Sequence, residues 1–229
     1  EIVDGSFKEV EEENNLKAYD TNYFIYQLNK IKEEGKNIVN TLIEALKTDG
    51  FKPRYYELEF GVDKSLPSFI VDIDQQQKIQ IEGKIDRLDI YKKKDKNYLK
   101  VLDYKLSDKK IELREAVDGI TFQLFIYLES IIKNKDKLSL GNLQLGGLFY
   151  ASLIQDIKKD NQNLSKGMKG YLIKNEDEEF KYDNSKIKVD QIDREVYEAI
   201  NKRIFNKIRK YIEGMLKGNF KVNPYYYKR

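Results

Sequence analysis

The 229-residue chain contains no cysteine and no histidine. Without cysteine it can form no disulfide, no zinc–thiolate site and no iron–sulfur cluster of its own. Without histidine it has neither an imidazole general base nor a Ser-His-Asp triad. Hydrolytic chemistry would have to run on carboxylates, lysine and tyrosine, which suits hard metals with oxygen ligands. No apolar run approaches the roughly 20 residues needed to span a bilayer, so no membrane role is expected. The start, Glu1-Ile2-Val3-Asp4, has neither an initiator Met nor a signal-peptide pattern. It reads as a piece of something longer, with the cytoplasm as its expected location.

Charge is abundant but balanced. Lysine and arginine number 42 and the acidic residues 39, for a net charge of +3. That excludes a polybasic tail but allows a local basic groove beside acidic metal ligands. Charged residues make up 35% and hydrophobic ones 40%, enough to bury a core in one large domain. We expect a single domain over residues 1–229: a helical part at 1–50, a catalytic core at 51–153, and a strand with a long helix at 154–229.

Along the chain, Leu16 to Ile31 reads as an irregular helix. Ile38, Val39, Leu42, Ile43 and Leu46 follow a helical period that Asp49-Gly50 ends. Pro53 opens an extended stretch, Tyr55 to Phe60, with Glu57 and Glu59 on one face. Phe69 to Ile73, Ile79 to Tyr91 and Tyr98 to Leu106 read as three strands of an antiparallel meander with apolar groups on both faces. A polar turn at Asp74 to Gln77 and a charged loop at Lys92 to Asn97 join them. A helix is expected over Gly119 to Lys133, a buried strand over Leu143 to Leu153, and a polar loop over Ile157 to Gly167. A short strand at Tyr171 to Ile173 precedes a long helix starting near Asp190 and ending before Gly218. The order predicts a mixed α/β fold, a central mixed sheet flanked by helices.

Asp103 and Lys105 lie two apart on a strand, so their side chains leave one face. Asp86 is on the preceding strand, and pairing about the short loop brings it near the level of Asp103. Two carboxylates meeting there repel unless a divalent cation lies between them. An oxygen-only cluster with a nearby lysine suits Mg²⁺, which keeps several waters and binds few carboxylates. The lysine can orient or help deprotonate a water for attack on a phosphodiester. Asp-x-Lys is nevertheless a common triplet. Gly83 to Asp89 also reads as a charged hairpin with surface ion pairs, and Gln123/Tyr127 as an ordinary i,i+4 helix face.

The series GKIDRLD, VLDYKLS and GITFQLFIYL resembles the motifs of the RecB-like branch of the PD-(D/E)xK nucleases. It is most similar to the C-terminal nuclease domain of the AddB type, called RexB in some bacteria. Phe51-Lys52-Pro53 with Glu57 and Phe60-Gly61, GMKGYLI at Gly167 to Ile173, and GNFKVNPY at Gly218 to Tyr225 extend the likeness over Phe51 to Tyr225. The resemblance implies a restriction-endonuclease-like core and Mg²⁺ or Mn²⁺ held by Asp86, Asp103 and the main-chain carbonyl of Tyr104. It implies Lys105 as the catalytic lysine, Gln123 and Tyr127 near the scissile strand, and Glu57 in a supporting role. Arg87, Asp89 and Glu59 are expected to be surface or structural.

Two departures stand out. The family carries an upstream metal-binding histidine, and AddB-type domains carry four cysteines for an iron–sulfur cluster. A chain trimmed at both ends accounts for both; natural loss is the alternative. The expected function is metal-dependent exonuclease cleavage of one DNA strand, with an AddA-type helicase–nuclease partner, in double-strand-break repair and recombination. The alternatives are a non-catalytic module that binds DNA ends and a stand-alone phage-type exonuclease.

Overall fold

The computed structural model describes residues 2–14, 21–74, 77–107, 109–152, 168–175, 180 and 188–220. Helices α1 (Ile2–Glu13) and α2 (Asn22–Asp49) come first. Thr21 caps α2 by accepting the Phe24 N–H, and Gly50 ends it in the left-handed region at φ 70°. Of the expected irregular helix at Leu16 to Ile31, residues 16–20 lie outside the described residues. The rest joins the following helical run as one 28-residue helix, which contains no proline and tolerates Gly35 in its interior.

The main sheet has six strands: β1 (Lys52–Phe60), β4 (Gly83–Lys93), β5 (Lys96–Lys105), β6 (Asn142–Ser152), β7 (Met168–Ile173) and β8 (Lys188–Ile192), adjacent in that order. β1, β4 and β5 pair antiparallel, β5 with β6 parallel, β6 with β7 antiparallel, and β7 with β8 parallel. The mixed sheet is as expected; the meander is not. Ile79 to Tyr91 breaks at Glu82 into β3 (Lys78–Ile81) and β4. β3 pairs only with β2 (Phe69–Asp72), in a separate two-stranded ribbon. β1 takes the place beside β4 that the meander would give to β2.

Three more helices complete the fold: α3 (Leu113–Asp118) and α4 (Gln123–Lys133) between β5 and β6, and α5 (Arg194–Leu216) after β8. The helix expected from Gly119 begins instead at Gln123, because Gly119 terminates α3 at φ 86°. The last helix starts at Arg194, with Asp193 rather than Asp190 at its N-cap position, and Asp190 lies within β8. Val189, Gln191 and Ile192 are extended there and pair with β7, a short strand hidden by its polar flanks. Residues 153–167, which include the expected polar loop, lie outside the described residues, as do 221–229.

Two cores lie on the sheet. The larger holds Leu88, Leu99, Val101 and Leu148 against Leu124, Phe125, Leu128 and Ile131 of α4 and Ile204 and Ile208 of α5. The smaller gathers Phe51, Tyr98, Leu102, Phe149 and Phe180, with Leu42 of α2 packed on it. Apolar residues on both faces of β5 thus reflect helices on both sides. The smaller core also encloses an ionic cluster. Arg87 donates to both Asp89 oxygens at 2.7 and 2.9 Å, and the Lys100 ammonium lies 3.3 Å from Oδ2. All three residues are at most 4% exposed. Arg87 and Asp89 are therefore structural and buried rather than surface residues. Glu59 stays at the surface in an ion pair with Lys64.

Candidate active site

The β4–β5 hairpin positions the carboxylates. Its turn is shorter than expected: Lys93 pairs with Lys96, and only Lys94 and Asp95 lie between. Lys94 takes φ 53°, the left-handed geometry such turns require. A tight turn fixes the register, which runs without slippage to Arg87↔Leu102. One further step along it brings Asp86 opposite Asp103. Residues opposed across antiparallel strands share a face, so both carboxylates belong to one side of the sheet.

The Asp86 carboxylate accepts the backbone N–H of Tyr104 at 2.7 Å, taking over where the ladder ends. Asp103 is 2% exposed. Burial pushes its carboxyl above the ordinary range, and the charge of Asp86 adds to that, while the Lys105 ammonium pulls the other way. Its Oδ2 is in ion-pair contact with Lys105 and has no hydrogen-bond partner among the described residues.

Lys105 also donates to Gln123 Oε1 at 2.9 Å, and Gln123 Nε2 donates to the Tyr127 hydroxyl at 2.7 Å. Gln123 opens α4 and Tyr127 follows one turn later, so both project from one helix face. The packing of Leu124, Phe125 and Leu128 into the larger core holds that face over the end of β5. Burial raises the Tyr127 phenol, and its ring meets Phe60 edge-on at 6.0 Å between centroids. A continuous polar chain thus runs Asp103, Lys105, Gln123, Tyr127.

Glu57 stands apart from this chain. The β1–β4 register, Tyr56↔Arg87 and Leu58↔Ile85, puts it level with Asp86. Its exposed carboxylate pairs with Lys84, and its backbone takes φ 51° in mid-strand. A bulky residue there is strained.

Two neighbours escaped the sequence reading. Tyr150 on β6 is in parallel register with Asp103 and is 4% exposed. Burial and the Asp103 charge push its phenol up to about 12. Its ring lies 5.2 Å from the Lys105 ammonium and 5.8 Å from that of Lys109. Spacing could not find Tyr150, because the β5–β6 contact joins segments separated by α3 and α4.

Two carboxylates on one face, one of them buried with an oxygen short of hydrogen-bond partners, make a donor set for a hard cation that retains water. Among the described residues no group of three or more acidic side chains gathers to hold a metal. Any such ion would rest on the Asp86/Asp103 pair and main-chain oxygen. No helix of the described residues is long and apolar enough to cross a membrane.

Comparison with known proteins agrees with this geometry. The PD-(D/E)XK nuclease superfamily matches residues 1–227. The chain is 28% identical over 235 residues to the B-type subunit of the ATP-dependent helicase/deoxyribonuclease of Alkaliphilus oremlandii, covering 90% of this chain and 20% of that protein. It is 28% identical over 242 residues to the protein of the same name from Clostridium botulinum, covering 93% and 21%. With that of Thermoanaerobacter pseudethanolicus it shares 24% over 253 residues, covering 98% and 22%. The chain thus spans about a fifth of the length of these relatives. With the match running through nearly every residue and a mixed sheet carrying Asp86, Asp103 and Lys105 on one face, the chain belongs to the PD-(D/E)XK nuclease superfamily.

Proposed function

We propose that residues 1–229 form one nuclease domain that hydrolyses phosphodiester bonds of single-stranded DNA in the presence of Mg²⁺ or Mn²⁺. The observation that carries this is the unbroken chain from Asp103 through Lys105 and Gln123 to Tyr127, beside Asp86. Asp86, Asp103 and the Tyr104 carbonyl are the residues that would hold the ion. A strand residue's N–H and C=O leave the same edge, so the Tyr104 carbonyl faces the β4 side as its N–H does. The bound ion supplies positive charge at the phosphodiester and makes water a stronger acid.

The remaining work falls to the chain's own residues. Lys105 puts a fixed positive charge where the phosphoryl oxygens gain negative charge in the transition state. Gln123 accepts a hydrogen bond from the Lys105 ammonium and so helps hold it beside Asp103. Tyr127 in turn fixes the Gln123 amide by accepting its N–H. Each group is oriented by the next, so little reorganisation accompanies the reaction.

By similarity to the helicase/deoxyribonuclease relatives, the domain acts as an exonuclease on a strand unwound by an AddA-type partner, in double-strand-break repair and recombination. The two-carboxylate donor set is the one observation that favours a non-catalytic DNA-end-binding module instead. A cleavage assay on duplex DNA with each strand end-labelled decides, with the full-length protein, its helicase partner and Mg²⁺. Asp103→Ala should abolish cut products of one strand while the assembly still unwinds duplex. Full cleavage of both strands by that variant overturns the assignment.

A further inference from the structure

Beside the polar chain lies a cavity of about 350 Å³ that shares Gln123 and Tyr127 with it. That volume is at the lower end of the roughly 300–1,000 Å³ usual for ligand pockets. Its walls are largely aromatic and aliphatic: Phe60, Phe122 and Tyr150 with Ile81, Ile120 and Ile126. Lys109 lines it too, with its ammonium 5.8 Å from the Tyr150 ring. Glu82, the acidic member of the wall, is exposed, and one of its oxygens is engaged by the Val62 N–H at 2.9 Å. Ile120, at 47% exposure, stands at the rim.

We propose that this cavity seats one unstacked nucleobase of the bound DNA strand, next to the phosphate to be cut, with Lys109 on the adjoining backbone phosphate. The proposal rests on the nuclease reading of the neighbouring site. Three features select a nucleotide. The walls offer aromatic rings to a flat π-system, the cation stands to one side of that apolar space, and the cavity opens directly onto Gln123. A nucleobase linked to its own phosphate matches all three, whereas a free aliphatic ligand leaves Lys109 unused. Stacking of this kind tolerates any base, because every base has a π-face. It also requires the base to be out of a duplex, so the cavity itself selects single strands. Lys109 contributes a backbone contact without sequence information.

Binding without metal separates this proposal from the chemistry. The full chain in EDTA is titrated with a short oligothymidylate and with an abasic oligomer of the same length and charge. The base-bearing strand should bind about tenfold more tightly, about 1.4 kcal/mol. Thr121→Trp, which fills the cavity, should bring the two affinities together. Ile120→Asp at the exposed rim should do the same if the larger residue prevents folding. Lys109→Ala should weaken both strands equally and flatten the salt dependence. Equal binding of the two oligomers by the unmodified chain, or unchanged discrimination in the cavity variants, overturns the proposal. Intact discrimination with no metal-dependent cleavage of any DNA would refute the nuclease reading and leave the base site standing.

Discussion

The backbone N–H of Tyr104 donates to the Asp86 carboxylate across 2.7 Å, at the point where β4 and β5 stop pairing. A side chain has replaced a carbonyl as acceptor, so the strands can part without stranding a donor. The same substitution anchors one carboxylate next to the backbone of the Asp-x-Lys triplet. Moving Asp86 would therefore disturb Tyr104 directly.

The first expectation concerns the charge held at Asp103. Its carboxyl is buried and faces Asp86, and its affinity for a proton is raised in the folded state. Ionising it there opposes folding, so Asp103→Asn should raise the melting temperature at neutral pH without divalent ions. The gain should shrink as pH falls and vanish below the ordinary value of 3.8, where the carboxyl is protonated folded or unfolded. Mn²⁺ should raise the melting temperature of the unsubstituted chain and not that of the variant. Thermal unfolding with and without Mn²⁺ measures both. An Asn variant that melts lower, yet still responds to Mn²⁺, would contradict the assignment.

Lys105, Gln123 and Tyr127 act as one chain of hydrogen bonds, so their effects should not add. Gln123→Ala should lower kcat about 100-fold, the scale of losing one positioned transition-state contact. Tyr127→Phe leaves the Gln123 amide without its acceptor and should cost about tenfold less. The double variant should be no worse than Gln123→Ala alone. Single-turnover rates on a labelled strand test this; strictly multiplicative losses would show the residues working independently.

The buried ionic cluster behind the sheet predicts a purely structural effect. Removing Asp89 takes from the buried Arg87 and Lys100 the carboxylate that they share. Asp89→Ala should therefore cost about 3–5 kcal/mol in urea unfolding. A loss below about 1 kcal/mol would mean that water reaches the cluster.

Glu57 allows strain and function to be separated. At φ 51° glycine is relieved of the side-chain clash. Glu57→Gly should gain about 1 kcal/mol of stability, on the scale of a left-handed penalty. The lost exposed pair with Lys84 offsets little of it. If the carboxylate supports the site, the stabilised variant still cleaves more slowly. A variant both stabler and fully active would assign Glu57 no part in the reaction.

How far the sequence foretells this arrangement depends on the range of the contacts. The Asp86/Asp103 alignment is legible because a hairpin ties those residues together locally, and the Gln123/Tyr127 face because helical spacing does. The break at Glu82, which sends β3 away from the sheet, depends on β1 occupying the edge of β4 first. The Gly119 cap that shortens α4 is a backbone geometry rather than a periodicity. Tyr150 joins the site through the parallel β5–β6 contact, whose long connection leaves no mark in spacing. Arg87 and Asp89 read as surface or structural, because their burial depends on α2 packing on that face and on Lys100 from the neighbouring strand.

Gly83 opens the GKIDRLD segment and shows how closely the aromatic wall approaches the backbone. A Cβ there would lie 2.8 and 2.9 Å from two atoms of the Phe60 ring and 3.4 Å from the Tyr127 ring. Its backbone needs no left-handed geometry, so what an added methyl meets is side chain alone. Phe60 is nearly fully buried and cannot swing into solvent. An added methyl must push Phe60, and through their edge-on contact Tyr127, away from β4. Overpacking of this sort costs about 1–3 kcal/mol, and here it reaches Tyr127, whose hydroxyl accepts the Gln123 N–H. Gly83→Ala should therefore reduce kcat about tenfold or more beyond any loss of folded protein. Comparing cleavage rate with folded fraction at one temperature checks this. Activity that falls only in proportion to the folded fraction would show that the Tyr127 position does not matter to the reaction.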